Sequence, residues 1–528
     1  MTFNNEINHK TSAEVNTQIS SYFDVVDNSI AMSDTNKKYV IDAQASYSPS
    51  APIHAGSFTT FIISPTSDNT ADLYNGFIKA KLRIRFNIDQ AITDLSKVNG
   101  KYELNCAWVG YKDSMDSVEK YEILSNGISI YTQNYGPEES FLTACGANET
   151  AKRADVFSKV RHKDVFNKKL DLARCGEFIS FDTTTNAGEV IIPIKIDLRR
   201  FLPLSNIKYL PAFVGKLELK VMFGTSGLVW CPVGIPSALK NNIADLAKFD
   251  LSSITTEFTQ IGDPATIWTS ASTDSGITKL TAENRTLTAE RNYEIYDTYT
   301  VIPNFGIDND IYSRLVQRYT GTELIFPTQV LQFNPMSKQI KTGRFSSTQT
   351  ITPRIIDTIF FLFPHKQSHH TVFKNPLFNS FQLRCGGYGA VPTIPIASDG
   401  SDPAFIEVCQ NAMNVNADQT GFNKEVVNSL CNTKDLNVCN GLTSNERTSF
   451  FIGLPTETDN CYQQGQTSNT PITYEIIGEI AKDSTYGKEN QTVPLMGCLN
   501  DIAIVVSVQP NGMPPVVEFG AFDLTTRQ

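Results

Sequence analysis

His365, His369 and His370 are the densest set of potential metal ligands in the chain. Neutral imidazoles bind zinc at short range. No cysteine or carboxylate set accompanies these three at ligand spacing, so they read as part of a solvated link between two strands. His54 and His162 stand alone and read as loop residues. Asp68 and Asp72, in SPTSDNTADLY, offer oxygen ligands for a cation. They lack the glycine and terminal glutamate of an EF-hand loop, so a plain turn is expected. The ten cysteines are scattered and contain no CxxC pair; Cys409, Cys431 and Cys439 form the one loose cluster. Free buried thiols are the expectation there, with a disulfide or metal site as the alternative. The chain has no GxGxxG after a strand, no GxxxxGK[ST], no HExxH and no GxSxG. With 55 acidic residues, nothing singles out a carboxylate pair for acid–base work. No residue is therefore assigned a catalytic, cofactor-binding or metal-binding role, and no enzyme activity is expected.

Composition narrows the classes further. The chain has 528 residues, 41% hydrophobic and 19% charged, with a net charge of −10. That balance is globular and argues against binding nucleic acid through net charge, without excluding a local basic face. No stretch approaches the ~20 apolar residues of a membrane-spanning helix. The first residues lack the apolar core of a signal peptide, so the N-x-T sequons at Asn148, Asn284 and Asn490 are expected to be fortuitous. The 32 Phe and 19 Tyr suit sheets and large buried interfaces.

The elements that would position any site read as strands. Lys79 to Phe86 alternates strictly: Ala80, Leu82, Ile84 and Phe86 share one face, and Lys79, Lys81, Arg83 and Arg85 the other. The cationic face is open to water, to acidic neighbours or to nucleic acid. YEILSNGISIY (121–131) is a hairpin, with Asn126-Gly127 as a two-residue turn. Pro137, Glu138 and Glu139 open a short helix, since proline suits the first turn and carboxylates the positive end of the helix dipole. Further strands are expected at Phe58–Ser64, Glu177–Phe181, Val190–Ile196, Gly215–Phe223, Tyr293–Ile302, Glu323–Phe333, Ile355–Phe363, Phe450–Leu454, Ile472–Ile480, Asp501–Val508 and Val516–Phe522. The segment Phe378–Leu383 is another, ended by the Cys385-Gly386-Gly387 turn. Asp402 and Pro403 start a second short helix. Residues 146–175 read as a charged excursion.

Residue identities do not repeat, but the order of elements does. Each half has strands, a glycine turn, a proline-started helix, a polar excursion and more strands. Pro403 follows Pro137 by 266 positions (403 − 137), close to half the chain. The expected fold is all-β: two tandem eight-stranded jelly-roll (Greek-key) barrels with short helices in the connecting loops. The expected division is a mobile or subunit-docked N-terminal arm over 1–50, a first jelly roll over 51–230, an inter-barrel connection without a clear long element over 231–290, and a second jelly roll over 291–528.

With this pattern in place, the chain resembles the double jelly-roll major capsid proteins of the Polinton, adintovirus, polinton-like virus and virophage group over roughly residues 55–520. FTTFIISPTSDNTADLYNGFIKAKLRIRF looks like that family's opening strand, acidic turn and second strand. EILSNGISIYTQNYGPEESFL looks like its hairpin and Tyr-led helix. PRIIDTIFFLFPHKQSHHTVFKNPLFNSFQLRCGGYGAVPTIP resembles its Asn-Pro-aromatic segment, with Asn375, Pro376 and Phe378 the closest local match. AFIEVCQNAMN takes the place of the helix that follows. Two departures stand out: Gly386-Gly387 where an Asn-Gly pair is expected, and an excursion over about 414–449 that matches nothing in the family.

The resemblance implies two barrels side by side in each chain. Three chains would form a pseudo-hexagonal homotrimer that tiles an icosahedral shell of a double-stranded DNA virus or virus-like element. It further implies penton and minor capsid partners, a place in the virion after assembly inside the host cell, no sequence-specific nucleic-acid contact, no membrane span and no cofactor. The alternative is a secreted-type carbohydrate-binding or carbohydrate-active β-sandwich protein. Its weak point is that Trp108, Trp230 and Trp268 are the only tryptophans available as sugar platforms.

Overall fold

The computed structural model describes residues 40–45, 53–65, 69–89, 97–98, 101–145, 175–182, 187–232, 258–274, 277–306, 309–320, 323–352, 355–386, 390–402, 404–413, 426, 429–430, 448–455, 471–481, 492–507 and 515–521. Sixteen of its strands form two sets of eight. The first set is β1 (Phe58–Ile62), β2 (Phe77–Ile88), β3 (Lys101–Tyr111), β4 (Val118–Ser125), β5 (Ile128–Gln133), β6 (Cys175–Asp182), β7 (Ala187–Asp197) and β8 (Leu217–Phe223). The second is β9 (Glu323–Pro335), β10 (Gly343–Ile351), β11 (Ile355–Leu362), β12 (Phe378–Cys385), β13 (Ala390–Ile396), β14 (Phe451–Pro455), β15 (Ile472–Ile480) and β16 (Leu495–Ser507). Three helices are α1 (Gly136–Cys145), α2 (Asn309–Tyr319) and α3 (Ala404–Ala412).

Antiparallel pairing in both sets is nested. In the first, β1 pairs with β8, β2 with β7, β3 with β6 and β4 with β5. In the second, β9 pairs with β16, β10 with β15, β11 with β14 and β12 with β13. A long hairpin rolled on itself in this way is a jelly roll. The second unit rolls into the sheets β9-β16-β11-β14 and β10-β15-β12-β13. The first unit rolls differently: its innermost hairpin, β4-β5, lies beside the outermost pair in the sheet β1-β8-β4-β5. The remaining pairs join a fourteen-stranded sheet through the tip of the β6-β7 hairpin, at Phe181–Gly188 and Asp182–Ala187.

Local sequence accounts for these elements. In β2, Ile78, Ala80, Leu82, Ile84 and Phe86 are all at 0% exposure. Leu217, Leu219, Val221 and Phe223 are likewise buried in β8. Asn126 and Gly127 both adopt positive φ (49° and 82°), as a type I′ turn requires. Gly110 and Gly176 face each other across β3 and β6, where a Cβ would come within 2.8 and 2.3 Å of Trp108 Cζ2. Before β12, Asn375 accepts hydrogen bonds from Leu377 N and Ser398 Oγ, both at 2.9 Å, and donates to Ser398 O at 2.7 Å. Those bonds hold Leu377 at φ 58°, a conformation that non-glycine residues rarely adopt. Asp402 caps α3 by accepting from Ala404 N at 2.9 Å.

Two segments depart from expectation. The stretch over 231–290 contains a long hairpin, Pro264–Asp274 against Ile277–Ala289, whose last residues pair with β2. Ser, Thr and Ala dominate its sequence, so no apolar face marks it as sheet. The strand Glu294–Gly306, expected to open the second half, lies in the first unit's large sheet against β2. Period two identifies a strand but not its partner. Val40–Ala45, at the end of the expected N-terminal arm, pairs with that same strand. Residues 1–39 lie outside the described residues, as do all but residue 175 of the expected excursion over 146–175 and all but residues 426, 429–430 and 448–449 of the one over about 414–449.

Leu219 sits at 0% exposure between β1 and β4. Leu219→Asp is expected to abolish soluble folded protein, because an unpaired buried carboxylate costs several kcal/mol. Expression yield and circular dichroism check this; a variant as soluble and ordered as the wild type would refute the assignment of inward faces.

Candidate functional site at the seam between the two units

Helix α1 follows β5 in the first unit but packs into the second. Every residue from Gly136 to Leu142 is buried, as are Ala144 and Cys145. Phe141, Leu142 and Cys145 belong to the second unit's apolar core, and the Phe141 and Phe373 rings lie 4.6 Å apart between centroids. Tyr135 meets Phe333 at 5.6 Å. The exchange is reciprocal: Leu324, Phe326, Ile504, Val506 and Val517 join the core of the first unit. A helix buried on nearly every side, its polar residues included, lies in an interior, and here the interior is shared by two sandwiches.

Polar side chains crossing the seam find partners on the other side. Gln133 Nε2 donates to Leu331 O at 2.8 Å and to Glu139 Oε2 at 2.6 Å. Thr328 Oγ1 lies 3.0 Å from both Leu202 O and Pro203 O. Lys112 Nζ donates to Thr448 O (3.1 Å), Thr448 Oγ1 (2.8 Å) and Ser449 Oγ (3.3 Å), and lies 5.6 Å above the Phe258 ring. A buried ammonium so held has its desolvation offset by several acceptors and a ring face.

The three histidines do not form a solvated link. His369 is 3% exposed, with Nε2 2.6 Å from Asp263 Oδ2, while Lys366 Nζ reaches Asp263 Oδ1 at 2.5 Å. His365 lies 5.6 Å from His369, ring to ring. His370 Nδ1 is 2.7 Å from Glu138 Oε1 on α1. Burial pushes the His365 imidazole down to about 3 and His369 down to about 4. Burial also works against the charged form of His370, but the Glu138 carboxylate more than offsets it and raises that imidazole. Sequence spacing missed these roles because the partners lie more than a hundred residues away. Among the described residues, no group of three His, Cys, Asp or Glu could hold a metal ion.

Two carboxylates at the seam titrate far from their ordinary range. Glu139, at 0% exposure, accepts from Tyr121 Oη at 2.8 and 3.0 Å and from Gln133; burial raises it to about 7. Asp116 accepts from Ser140 Oγ at 2.6 Å, and burial together with the neighbouring Asp113 raises it to about 7.

The other sequence candidates resolve into structure. Asp72 accepts from Asn75 N and Nδ2 at 3.2 and 2.6 Å, a plain turn; Asp68 lies outside the described residues. Cys409 is a buried thiol, pushed up to about 12 by burial, while Cys431 and Cys439 lie outside the described residues, as does His162. His54 is an exposed residue of a two-residue strand. Asn284 is exposed, and Asn148 and Asn490 lie outside the described residues. The cationic face of β2 meets acids of its own sheet: Lys81 pairs with Asp297 at 2.5 Å, Arg83 with Glu294 at 3.1 Å and Glu189 at 3.5 Å, and Arg85 with Glu189 at 3.6 Å. Lys79 is exposed.

Phe141→Ala is expected to cost about 3–5 kcal/mol and to uncouple the units, so that calorimetry records two unfolding transitions in place of one. The histidines give a pH dependence. The folded pKa values of His365 and His369 lie below the unfolded value of about 6.5, so the unfolded chain binds more protons at these two sites in that window. Stability contributed by His365 and His369 is therefore lost as pH falls from about 6.5 towards 4. His369→Gln should lose less stability than the wild type between pH 7 and pH 5 in urea titrations; an equal loss would contradict the assignment.

No known family model matches the chain, and no curated protein matches it. Among solved structures, it is similar to the mavirus major capsid protein, at 9% identity over 93% of this chain and 91% of that one, with a TM-score of 0.47. It is also similar to a chain of the Sputnik virophage particle, at 10% identity over 94% and 92%, with a TM-score of 0.44. The Faustovirus major capsid protein is another similar structure, at 9% identity over 96% and 98%, with a TM-score of 0.39.

Proposed function

We propose that this chain is a major capsid protein that assembles as a pseudo-hexagonal homotrimer and tiles an icosahedral shell of a double-stranded DNA virus or virus-like element. The observation that carries this reading is the pair of nested eight-stranded units locked together through a shared core. Rigid fusion of two like units lets three chains present six similar walls, which is what a three-fold object needs to fill a position with six neighbours. We take the first unit to run from the strand Val40–Ala45 through Glu294–Gly306, and the second from Glu323 onward. Its place would be the virion shell, with penton and minor capsid proteins as further partners and a role in architecture rather than catalysis. Among the described residues, no helix is long and apolar enough to cross a membrane.

The surfaces that would meet are also duplicated. Ile128 and Ile394 are the two most exposed large apolar side chains among the described residues, at 71% and 79%. They lie on β5 and β13, the fifth strand of each unit, and each of those strands is the edge of its sheet. An open edge bearing an exposed aliphatic side chain is a surface that pairs with another chain unless it is covered. A head-to-tail ring of three copies would cover β5 of one copy with the second unit of the next.

A sugar platform finds no support at Trp108 and Trp230, which are buried at 0% and 1%. The exposed rings of Phe58 and Tyr74 lie beneath Lys220 (4.7 Å) and Arg199 (5.0 Å).

Size-exclusion chromatography with light scattering should give three times the 58.5 kDa chain mass, or larger particles, and electron microscopy should show three-fold blocks. A strict monomer at micromolar concentration would overturn the proposal. Ile128→Lys combined with Ile394→Lys should leave the melting temperature within a few degrees of wild type while shifting the protein to monomer; a trimer that persists would remove these edges from the interface.

A further inference from the structure

The seam borders a cleft of about 790 Å³. Residues 130–135, along and just after β5, line one side; residues 330–334 of β9 and 350–352 at the end of β10 line the other. Asn500 and Ile502 of β16 complete the lining. β5, β9 and β10 each lie at the edge of a sheet. None of the sixteen lining residues carries a charge. Their polar side chains are hydroxyls and amides, among them Thr132, Asn134, Gln332 and Asn334.

The outer edge of β9 turns backbone groups towards this side. Its ladder with β16 runs in one register from Glu323 opposite Ser507 to Pro335 opposite Leu495. One step further, Met336 N donates to Pro494 O at 2.9 Å. That bond sets the phase: even-numbered residues of β9 bond to β16, and odd-numbered ones turn their N–H and C=O the other way. Two contacts across the seam agree with it. Leu331 O accepts from Gln133 Nε2 at 2.8 Å, and Pro327 O from Asn206 Nδ2 at 3.4 Å. Leu331 and Phe333 are only 3% and 6% exposed, yet no group among the described residues bonds to the N–H of either or to Phe333 O. Asn334 Nδ2 is buried beside them, also without a partner among the described residues. Backbone polar groups in so buried a place are as a rule paired.

We propose that the seam cleft binds an extended, uncharged segment of a partner protein, which adds a strand to the outer edge of β9. Carbonyls of that segment accept from Leu331 N, Phe333 N and Asn334 Nδ2, and one of its amides donates to Phe333 O. An added strand is held through its backbone, so it needs no charged anchor on either side. A charged side chain would leave water here for hydroxyls and amides with no counter-ion. The edge over residues 330–334 is about 17 Å long, which sets the segment at about five residues. Ile128 and Ile394, through which copies of the chain are proposed to meet, are not among the lining residues. The site therefore lies apart from that contact and is complete within one chain.

Selection of phage-displayed random heptapeptides on the full-length protein tests this. Enriched sequences are expected to be uncharged over about five consecutive positions. A synthetic peptide of the enriched sequence should bind about tenfold more weakly to the double variant Thr132→Glu, Thr352→Glu. Both threonines are exposed, so that variant should melt within a few degrees of the wild type. Hydrogen exchange read by mass spectrometry over residues 329–335 should slow about tenfold when the peptide is added. No enrichment over the bare support, enriched sequences rich in charge, binding that ignores the double variant, or exchange that ignores the peptide each overturns the proposal. So does protection of residues 329–335 that rises with protein concentration alone, because the occupant would then be a second copy.

Discussion

Burial of one short helix in the wrong barrel is the constraint on which the molecule depends. Phe141 and Leu142 leave the first unit and fill space beneath Phe373 and Gly497 in the second. Two β-sandwiches in one chain would otherwise meet as ordinary domain surfaces, polar and free to rock. Interdigitated cores are close-packed and do not deform continuously. Once α1 is inserted, backbone and side-chain polar groups near it lose water and must be satisfied locally. Gln133, Thr328 and Lys112 each do so by reaching across to the partner unit.

The same economy governs the faces away from the seam. The basic side of β2 is neutralised by Glu189 on β7 and by Glu294 and Asp297 on the strand Glu294–Gly306. Individually such half-exposed pairs contribute little to stability. Collectively they place an acidic group beside Lys81, Arg83 and Arg85. Among the described residues, the most exposed large apolar side chains are Ile128 and Ile394.

Much of this architecture is visible in the residues, and the reasons for the gaps are physical. Strict alternation revealed β2 and β8, and Asn126-Gly127 marked the β4-β5 hairpin, because both signals are local. β3, β10 and β13 went unread. In β10, GRFSSTQTI is polar and half-exposed at an edge, so only Phe345 and Ser347 are buried. The hairpin over 264–289 hid for a similar reason. Partner choice was illegible throughout: nothing in Tyr293–Ile302 says that it pairs with β2 rather than with a strand of its own half. The seam was hidden most completely. His370 and Glu138 are 232 positions apart, and a histidine among polar neighbours reads as solvated until its partner is known. The acidic start of α1 was recognised as helix chemistry, when those carboxylates also carry the contact between the units.

Nested pairing has a cost in time. The outermost partners of the second unit, Glu323 and Ser507, are joined last in sequence and first in the ladder. Contacts so far apart close slowly, since loop entropy must be met before any pairing offsets it. During synthesis α1 emerges long before Phe373 and Gly497, against which Phe141 and Leu142 pack. A nascent chain of this design spends that interval with an adhesive helix uncovered, the kind of apolar surface that makes partly folded chains prone to aggregate.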